Sequence, residues 1–267
     1  MRITRFAAGD EVSYGLVGTA RAGPTAGNEV IAELGGHPFG GGDGIRLTGT
    51  TYLLDEVRLL APVLPSKVIG FAPEPPWAAG AADGGLERRS VMYLKPSTAV
   101  CGPSDPIRYP ALAQRLEANG ELAVVIGRLC HQVTPEQAAA VIFGYACALD
   151  VTAADLRKRD RQWSRAKGFD TFCPLGPWID TDAGQASLEL ATIVNGHVCQ
   201  RTKIPAPGRA VAALVASASN VMTLLPGDVL LAGMPPGGAS PELTVGDEVS
   251  VSIDAIGILT NRVEQGD

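Results

Sequence analysis

Long hydrophobic runs are absent from this 267-residue sequence. No stretch approaches the ~18 consecutive apolar residues that a transmembrane helix needs, so we expect no membrane span. The first residues, MRITRFAAGDEV, also lack the apolar block of a secretory signal peptide. A net charge of −6 argues against the basic surface that nucleic-acid binding requires. These absences predict a cytoplasmic protein that binds neither membranes nor nucleic acids.

Motifs that carry chemistry are scarce as well. The five cysteines form no CxxC pair, which favours buried reduced thiols over disulfides or a zinc site. His37, His131 and His197 are widely separated and stand in turn-like contexts, which favours surface positions over roles as ligands or bases. No GxSxG, P-loop or GxGxxG element occurs. Serine-hydrolase and nucleotide-binding functions therefore lack support, and we expect no nucleotide or organic cofactor.

What the sequence does contain is a series of short β-like runs. Residues 1–62 are rich in glycine and predict a small β-rich N-terminal domain. A larger domain at 63–267 is predicted to begin with a strand at Ser66–Gly70. Residues 73–90 combine prolines, glycines and small residues without periodicity, which indicates a long surface loop of the kind that often covers an active site. The predicted fold class is α+β and mostly β, with few helices.

Two helices and one hairpin are clearly predicted. Thr134-Pro135-Glu136-Gln137 has the pattern of a capped helix start, so we expect a helix that runs to about Phe143 and leads into a strand at Tyr145–Leu149. Apolar residues at helical spacing predict a second helix over about Ala210–Met222. Val194-Asn195-Gly196-His197 predicts a two-residue hairpin turn between strands.

Two carboxylates stand at the predicted ends of apolar strands. Glu121 comes directly before the run Leu122–Ile126, and Asp150 comes directly after Tyr145–Leu149. Such carboxylates can converge on one cleft and hold a hard cation such as Mg²⁺, or each can simply cap its strand and face water. Lys167 is equally open, because it could neutralise an enolate or carboxylate or belong to a solvated basic run.

The order of several motifs resembles the fumarylacetoacetate hydrolase family over about Arg2–Val263. The motifs that carry the resemblance are, in chain order, Lys67–Gly70, Tyr93–Pro96, Glu121–Gly127, Phe143–Asp150, Gln162–Trp178 (QWSRAKGFDTFCPLGPW), Leu225–Val229 and Gly257–Val263. The resemblance implies a small β-rich N-terminal domain followed by a mixed β-roll. It also implies a homodimer that uses Mg²⁺ or Mn²⁺ to bind a 2-oxo acid or a 1,3-dicarbonyl compound.

At several chemical positions the sequence departs from the family pattern. The resemblance places metal ligands at residues 119, 121 and 150, but Asn119 stands where the first glutamate belongs. The lid positions that would activate water are Pro76 and Ala79, neither of which can move a proton. Ala154 replaces a substrate-gripping arginine, and Met234 replaces a threonine. Two carboxylates in place of three predict weak metal binding or none.

The resemblance therefore implies a set of candidate site residues. The catalytic candidates are Lys167, as the electrophile, and Glu121 and Asp150, as proton-transfer groups; the possible metal ligands are Glu121, Asp150 and Asn119. The substrate-binding candidates are Lys95, Arg165, Met234 and Glu74. Glu74 and Glu87 could replace the missing lid base or be solvated. The basic run Arg157-Lys158-Arg159, with Arg161 and Arg165, could grip an anion or form a solvated loop.

Three functions stay open from the sequence. The first is an enzyme that stabilises an enolate-type intermediate of a small 2-oxo acid, 1,3-dicarbonyl or polyketide-like substrate. Decarboxylation, dehydration, isomerisation or cyclisation fits such a site better than hydrolysis, since the water-activating pair is missing. The second is a conventional Mg²⁺-dependent C–C bond hydrolase or decarboxylase of the acylpyruvate or oxaloacetate type. The third is a non-catalytic binding protein on the same scaffold.

Overall fold

The computed structural model describes residues 1–21, 27–39, 45–72, 91–205, 207–232 and 240–266, and most of them lie in β-strands. The strands are β1 (Arg2–Ala8), β2 (Glu11–Thr19), β3 (Glu29–Leu34), β4 (Leu47–Leu53), β5 (Arg58–Leu60), β6 (Lys67–Ala72), β7 (Val91–Pro96), β8 (Val100–Cys101), β9 (Ile107–Tyr109), β10 (Leu116–Ile126), β11 (Ile142–Ala153), β12 (Cys173–Asp180), β13 (Leu188–Val194), β14 (His197–Ile204), β15 (Val229–Leu231), β16 (Glu242–Leu243), β17 (Glu248–Ile253) and β18 (Gly257–Gln265). The α-helices are α1 (Pro135–Ala138), α2 (Ala154–Arg159), α3 (Ser164–Lys167), α4 (Pro207–Ala210) and α5 (Ala212–Val221).

These strands form two sheets. The larger sheet has the spatial order β4-β3-β2-β1-β12-β11-β10-β15-β6-β7, with β5 beside β1, β8 beside β12 and β16 beside β10. The smaller sheet has the order β14-β13-β17-β18-β9. Most neighbours are antiparallel, while β15 and β6 run parallel. The predicted mostly-β, mixed architecture is confirmed.

The N-terminal strands continue the central sheet. β1 pairs with β2 and β5 and also with β12, where Arg2 lies opposite Asp180 and Ile3 opposite Ile179. A small apolar cluster of Phe6, Val17 and Ile31 packs against Trp178 of β12. Residues before and after the predicted domain boundary therefore share one apolar cluster and one hydrogen-bonded sheet.

The two longest strands, β10 and β11, are where the sequence prediction needs correction. Glu121 does not open a strand and Asp150 does not close one, because both lie inside strands that pair over eleven positions, from Leu116 opposite Ala153 to Ile126 opposite Ile142. The extensions, 116–120 of β10 and 151–153 of β11, include polar residues, so a search for continuous apolar runs stops at Glu121 and at Asp150.

Gly120, between the two predicted ligand positions 119 and 121, marks where the smaller sheet approaches. Its backbone N–H donates to Thr192 Oγ1 of β13 at 3.0 Å. A β-carbon on Gly120 would come within 2.6 Å of that same oxygen and 2.9 Å of a Val251 methyl. A side chain at position 120 would therefore separate the two sheets directly behind the site.

The predicted helices form, but with different ends. α1 begins after Thr134, whose backbone N–H is bound by the Gln137 side chain at 3.0 Å as expected, yet it ends at Ala138 because β11 starts at Ile142. The second predicted helix corresponds to α5, which begins at Ala212 after the short helix α4, and Val221 at its end is exposed rather than part of the core. The hairpin turn at Asn195 and Gly196 is confirmed by β13 and β14.

Two further expectations can be compared with the described residues. Cys101, Cys130, Cys147 and Cys173 are buried free thiols as predicted, whereas Cys199 is exposed on β14. None of the helices within the described ranges has the length and apolar character required to cross a membrane. The predicted loop 73–90, with Glu74 and Glu87, and the predicted site residue Met234 lie outside the described residues.

Candidate active site

The candidate site lies on one face of the β10–β11 pair. Asn119 is directly opposite Asp150, and Glu121, two residues along β10, projects from the same face because side chains alternate along a strand. Cys173 of β12 lies two residues from Leu175, which pairs with Ala148, so its side chain belongs to this face too. The structure thus brings together the three predicted ligand positions in the middle of the central sheet.

Asp150 is the centre of the cluster and is held by three side chains. Its Oδ2 accepts a hydrogen bond from the Tyr93 hydroxyl at 2.6 Å and a short one from the Lys167 ammonium group. Its Oδ1 lies 2.8 Å from the Lys95 nitrogen. All four side chains are buried. Asp150 therefore balances two cations that have almost no access to water.

Lys95 is anchored by the backbone as well as by Asp150. Its Nζ donates to the carbonyl oxygens of Val151 at 2.8 Å, Lys167 at 3.1 Å and Phe172 at 2.8 Å. These carbonyls belong to β11, to the end of α3 and to the segment before β12. The buried ammonium group thus ties the three segments that carry Asp150, Lys167 and Cys173 to one point.

Lys167 reaches the site from the end of the short helix α3. Its backbone N–H donates to the Trp163 carbonyl at 2.9 Å, and Gly168 follows where a β-carbon would meet the Ser164 carbonyl oxygen at 2.5 Å. The glycine lets the chain turn away directly after the lysine. The side chain is then 3% exposed, and its ammonium group lies 4.5 Å from the centre of the Tyr93 ring.

Tyr93 is the site residue that sequence reasoning missed. Its hydroxyl contacts Asp150 and lies 3.4 Å from the Lys167 nitrogen. The ring lies over Gly70 of β6, where a β-carbon would be only 2.1 Å from it. Strand periodicity could have identified Tyr93. It is two residues from Lys95 on β7, so the two side chains lie on the same face of the strand.

The protonation states follow from burial and from the two lysines. Burial raises the pKa of the Asp150 carboxyl, but Lys167 and Lys95 outweigh burial and hold that pKa below its usual range. Burial, assisted by Asp150 and Glu121, raises the pKa of the Tyr93 phenol well above its ordinary value. Burial also raises the pKa of the Cys173 thiol to about 12. Asp150 is therefore an anion, Tyr93 a hydroxyl donor and Cys173 a neutral thiol, not a nucleophile.

The three predicted ligand positions present a poor donor set for a cation in this arrangement. Both oxygens of Asp150 face ammonium or hydroxyl donors, and the Asn119 side-chain oxygen accepts a hydrogen bond from Gln200 Nε2 at 3.2 Å. Within the described ranges, no group of three or more His, Cys, Asp or Glu side chains is arranged to hold a metal ion. A cation at this place would have to displace Lys167 from Asp150.

Other predicted residues lie away from the cluster. Arg165 is on the exposed side of α3 and forms a two-pronged ion pair with Asp160, at 2.8 and 2.6 Å. In the adjoining basic run, Arg157 contacts Glu117 at 3.2 Å and Arg159 contacts Asp160 at 3.8 Å. These contacts account for part of the basic run as surface ion pairs and place none of its charges at Asp150.

The fold and site define a class of protein, and sequence comparison places the chain within it. A central mixed sheet carries a buried cluster of Lys95, Asp150, Lys167 and Tyr93. Residues 76–264 match the family model "Fumarylacetoacetate (FAA) hydrolase C-terminal", and residues 1–62 match the model "Rv2993c-like, N-terminal". The chain belongs to the fumarylacetoacetate hydrolase family.

The relatives of this chain include isomerases and a tautomerase. The chain is 43% identical to protein Rv2993c of Mycobacterium tuberculosis, over 98% of both chains. It is 44% identical to the crystal structure of a 5-carboxymethyl-2-hydroxymuconate delta-isomerase from Mycobacterium smegmatis, with a TM-score of 0.86 and coverage of 99% and 100%. A mitochondrial oxaloacetate tautomerase of Xenopus laevis is 37% identical over 67% of this chain and 59% of its own length.

One solved relative carries a metal ion. Maleylpyruvate hydrolase from Sphingobium sp. SYK-6, in complex with manganese(II) and pyruvate, is 30% identical, with a TM-score of 0.72 and full coverage of both chains. A divalent cation is therefore compatible with the scaffold that the two proteins share.

Proposed function

We propose that the protein catalyses enolate-forming chemistry on a small 2-oxo acid or 1,3-dicarbonyl compound. The observation that carries this proposal is the convergence of the Lys167 ammonium group and the Tyr93 hydroxyl on a single buried oxygen, Asp150 Oδ2. Two donors that meet at one oxygen in a site shielded from water are suited to an enolate oxygen, whose charge develops during the reaction.

The proposed step is a proton transfer that balances within the substrate. The Glu121 carboxylate takes a proton from the carbon next to the carbonyl group, and the released electron pair forms the carbon–carbon double bond. The carbonyl oxygen becomes an enolate that Lys167 stabilises through an N–H and Tyr93 through its single O–H, which turns from Asp150 to the enolate oxygen. A proton returned to oxygen or carbon completes a tautomerisation or isomerisation. Asp150 and Lys95 act as positioning residues that hold the two donors.

Isomerisation or tautomerisation fits this chain better than hydrolysis. A hydrolase needs a group that activates water, and the lid positions that would supply it are Pro76 and Ala79. The named activities of the Mycobacterium smegmatis isomerase and the Xenopus tautomerase support the same class. Decarboxylation, dehydration and cyclisation share the enolate and belong to the same proposal.

We also propose weak or no dependence on a metal. Asp150 is already paired with the ammonium groups of Lys95 and Lys167, so it offers no unpaired negative charge to a divalent cation. Asn119 adds no charge, and its oxygen already accepts from Gln200.

A conventional Mg²⁺- or Mn²⁺-dependent C–C hydrolase or decarboxylase is the second candidate. The manganese-bound maleylpyruvate hydrolase supports it, and it requires Asn119 to turn its oxygen away from Gln200 and toward a cation. A non-catalytic binding protein is the third. The homodimer and the cytoplasmic location implied by the resemblance stay predictions in all three cases.

Proton exchange at carbon tests the proposed function directly. Oxaloacetate and acetylpyruvate are incubated in D₂O with EDTA-treated protein, and loss of the C3 proton signals is followed by NMR alongside any cleavage products. We expect exchange faster than in buffer, with little cleavage. Lys167→Met should reduce the exchange rate by about 10²–10³-fold, since it removes one oxyanion donor.

Lys203→Met is the matched control, because Lys203 is an exposed lysine on β14. Equal loss of exchange in both variants, or cleavage of acetylpyruvate at a rate that matches exchange, would contradict the proposal. Cleavage that depends on added Mn²⁺ would favour the hydrolase instead.

A further inference from the structure

We propose that Asn119 binds the substrate carboxylate as a hydrogen-bond donor, and that Gln200 of β14 holds the Asn119 amide in the orientation that this role requires. This inference rests on the proposed function and assigns the group that binds the acid end of the substrate. It gives position 119 a role opposite to that of a metal ligand, which would present an oxygen to the site.

Asn119 is the residue at which the buried strand β10 becomes accessible to solvent. The other ten residues of β10 are buried, and Asn119 alone is partly exposed. It lies directly opposite Asp150, and its side chain projects from the face that carries Asp150 and Glu121. Opposite residues of an antiparallel pair have β-carbons about 4.5–5.5 Å apart. A small molecule bound at Asp150 is therefore within reach of the Asn119 amide.

The two ends of the Asn119 amide have different surroundings. The Oδ1 oxygen accepts a hydrogen bond from Gln200 Nε2 at 3.2 Å. The Nδ2 nitrogen makes no hydrogen bond to any residue in the described part of the chain, and it is not sealed from solvent. An amide nitrogen carries two N–H donors. Asn119 therefore offers unused donors to a ligand, while its oxygen is already bound by Gln200.

Gln200 is held in place by the smaller sheet. It is buried and lies opposite Thr192 of β13. The Thr192 hydroxyl oxygen accepts the backbone N–H of Gly120, so paired residues of the smaller sheet contact two consecutive residues of β10. Gln200 is thus a positioning residue, which acts on the substrate through Asn119.

A 2-oxo acid has the chemistry that matches this arrangement. Its carboxylate is bonded directly to the carbonyl carbon, so a substrate whose carbonyl oxygen lies at Lys167 and Tyr93 has its carboxylate on the adjacent carbon. A hydrogen bond from the Asn119 amide to that charged oxygen is stronger than one between neutral groups. The same N–H groups would repel a metal ion. The orientation set by Gln200 therefore favours a carboxylate over a cation at position 119.

Acetylpyruvate and acetylacetone test the carboxylate contact, because acetylacetone carries a methyl group where acetylpyruvate carries the carboxylate. Proton exchange at C3 is measured for both compounds in D₂O with EDTA-treated protein. We expect Asn119→Leu to raise KM for acetylpyruvate at least about tenfold, as for loss of a hydrogen bond to a charged group. KM for acetylacetone should change little.

Asn220→Leu, at an exposed asparagine of α5, is the matched control and should change neither KM. Asn119→Asp keeps the size and the acceptor for Gln200 but loses the N–H donors, and it is the second variant in case Asn119→Leu does not fold. No rise in KM for acetylpyruvate, or equal rises for both compounds, would overturn the inference and leave the proposed function standing, provided that the wild type exchanges.

Gln200→Glu tests the positioning role. The carboxylate that it introduces can only accept a hydrogen bond, so it should draw the Asn119 N–H groups away from the substrate. We expect KM for acetylpyruvate to rise at least about tenfold with kcat little changed. In an Asn119→Leu background the same change should have no further effect, because Gln200 acts through Asn119. A further rise in that background would show a direct effect of the added charge and overturn the positioning role.

If the wild type exchanges neither compound, the proposed function fails, and calorimetric titration with both compounds then decides the carboxylate contact alone. At least about tenfold tighter binding of acetylpyruvate than of acetylacetone, lost in Asn119→Leu, would support it. Equal or undetectable affinity for both, or a preference that survives in Asn119→Leu and in Asn119→Asp, would overturn it.

Discussion

At the scale of single residues, Asp150 is the group on which the site depends. It is the counter-ion of two buried lysines and the acceptor for Tyr93. Water cannot replace it, because Lys95 is fully buried and Lys167 nearly so. Loss of the carboxylate would leave two ammonium groups uncompensated in a medium of low polarity.

Asp150→Asn should therefore lower the free energy of unfolding by about 3–5 kcal/mol, the usual cost of removing one partner from a buried ion pair. Urea denaturation followed by circular dichroism measures the change. Asp10→Asn, in an exposed turn, is the matched control and should fall within about 0.5 kcal/mol of the wild type. A loss in Asp150→Asn as small as that of the control would show that the cluster does not need this charge.

Tyr93 belongs to the same scale, and its hydroxyl has a separable role. Tyr93→Phe keeps the ring that covers Gly70 and removes the hydroxyl, which binds Asp150 in the structure and donates to the enolate oxygen in the proposed reaction. We expect kcat for proton exchange to fall by about 10²-fold with little change in KM, as for loss of one transition-state donor. Steady-state kinetics of exchange measure both constants. A rise in KM with unchanged kcat would indicate that the hydroxyl only binds the ground state.

Single residues also show what the sequence could and could not predict about the site. Lys167, Glu121, Asp150 and Asn119 were predicted as site positions, and the structure places their strands and helix around one cluster. The setting of Glu121 and Asp150 was predicted wrongly, since strand ends were expected and paired strand interiors were found. Tyr93 was overlooked because its hydroxyl contacts Asp150 only after folding brings β7 close to β11.

At the scale of elements, the close pairing of β6 with β7 sets the position of the Tyr93 ring. Gly70 lies opposite Tyr93 in the register, and the absence of a β-carbon there leaves room for the ring. The backbone of Gly70 has no left-handed conformation to explain the glycine, so space is the reason.

Gly70→Ala should push the Tyr93 ring away from Asp150 and lower both exchange activity and stability, the latter by about 1–3 kcal/mol. Gly18→Ala is the matched control, because a β-carbon at Gly18 meets nothing within 4 Å. In a Tyr93→Ala background the cost of Gly70→Ala should largely disappear, as a double-mutant cycle would reveal. Additive effects of the two changes would contradict this account of the glycine.

Element boundaries were harder to predict than element types. The hairpin at Asn195 and Gly196 and the start of α1 follow from local turn and capping chemistry, which a short window contains. The end of α1 does not, because the run from Ala138 to Phe143 suits either a helix or a strand. Pairing with β10, a segment more than ten residues away, decides in favour of the strand.

At the scale of the whole molecule, one sheet connects the N-terminal strands to the site. β1 adjoins β12, β12 adjoins β11, and β11 carries Asp150. The smaller sheet contacts the site's reverse side at Gly120, where Thr192 binds the backbone. The family resemblance predicted a small β-rich N-terminal domain before a mixed β-roll, and the local sequence alone predicted only the mostly-β character. Neither predicted that β1 would pair with β12 in the central sheet.

For the molecule as a whole, we expect that this scaffold stabilises an enolate with lysine and tyrosine in place of a metal. The most direct test is the rate of C3 proton exchange in oxaloacetate, measured with EDTA and again with added Mn²⁺, for the wild type and Asn119→Glu. We expect the wild type to exchange the C3 proton in EDTA, at a rate that added Mn²⁺ changes little. We also expect at least about tenfold tighter Mn²⁺ binding by Asn119→Glu, detected by electron paramagnetic resonance, since the variant adds a third carboxylate. Exchange by the wild type that is absent in EDTA and restored by Mn²⁺ would contradict this expectation.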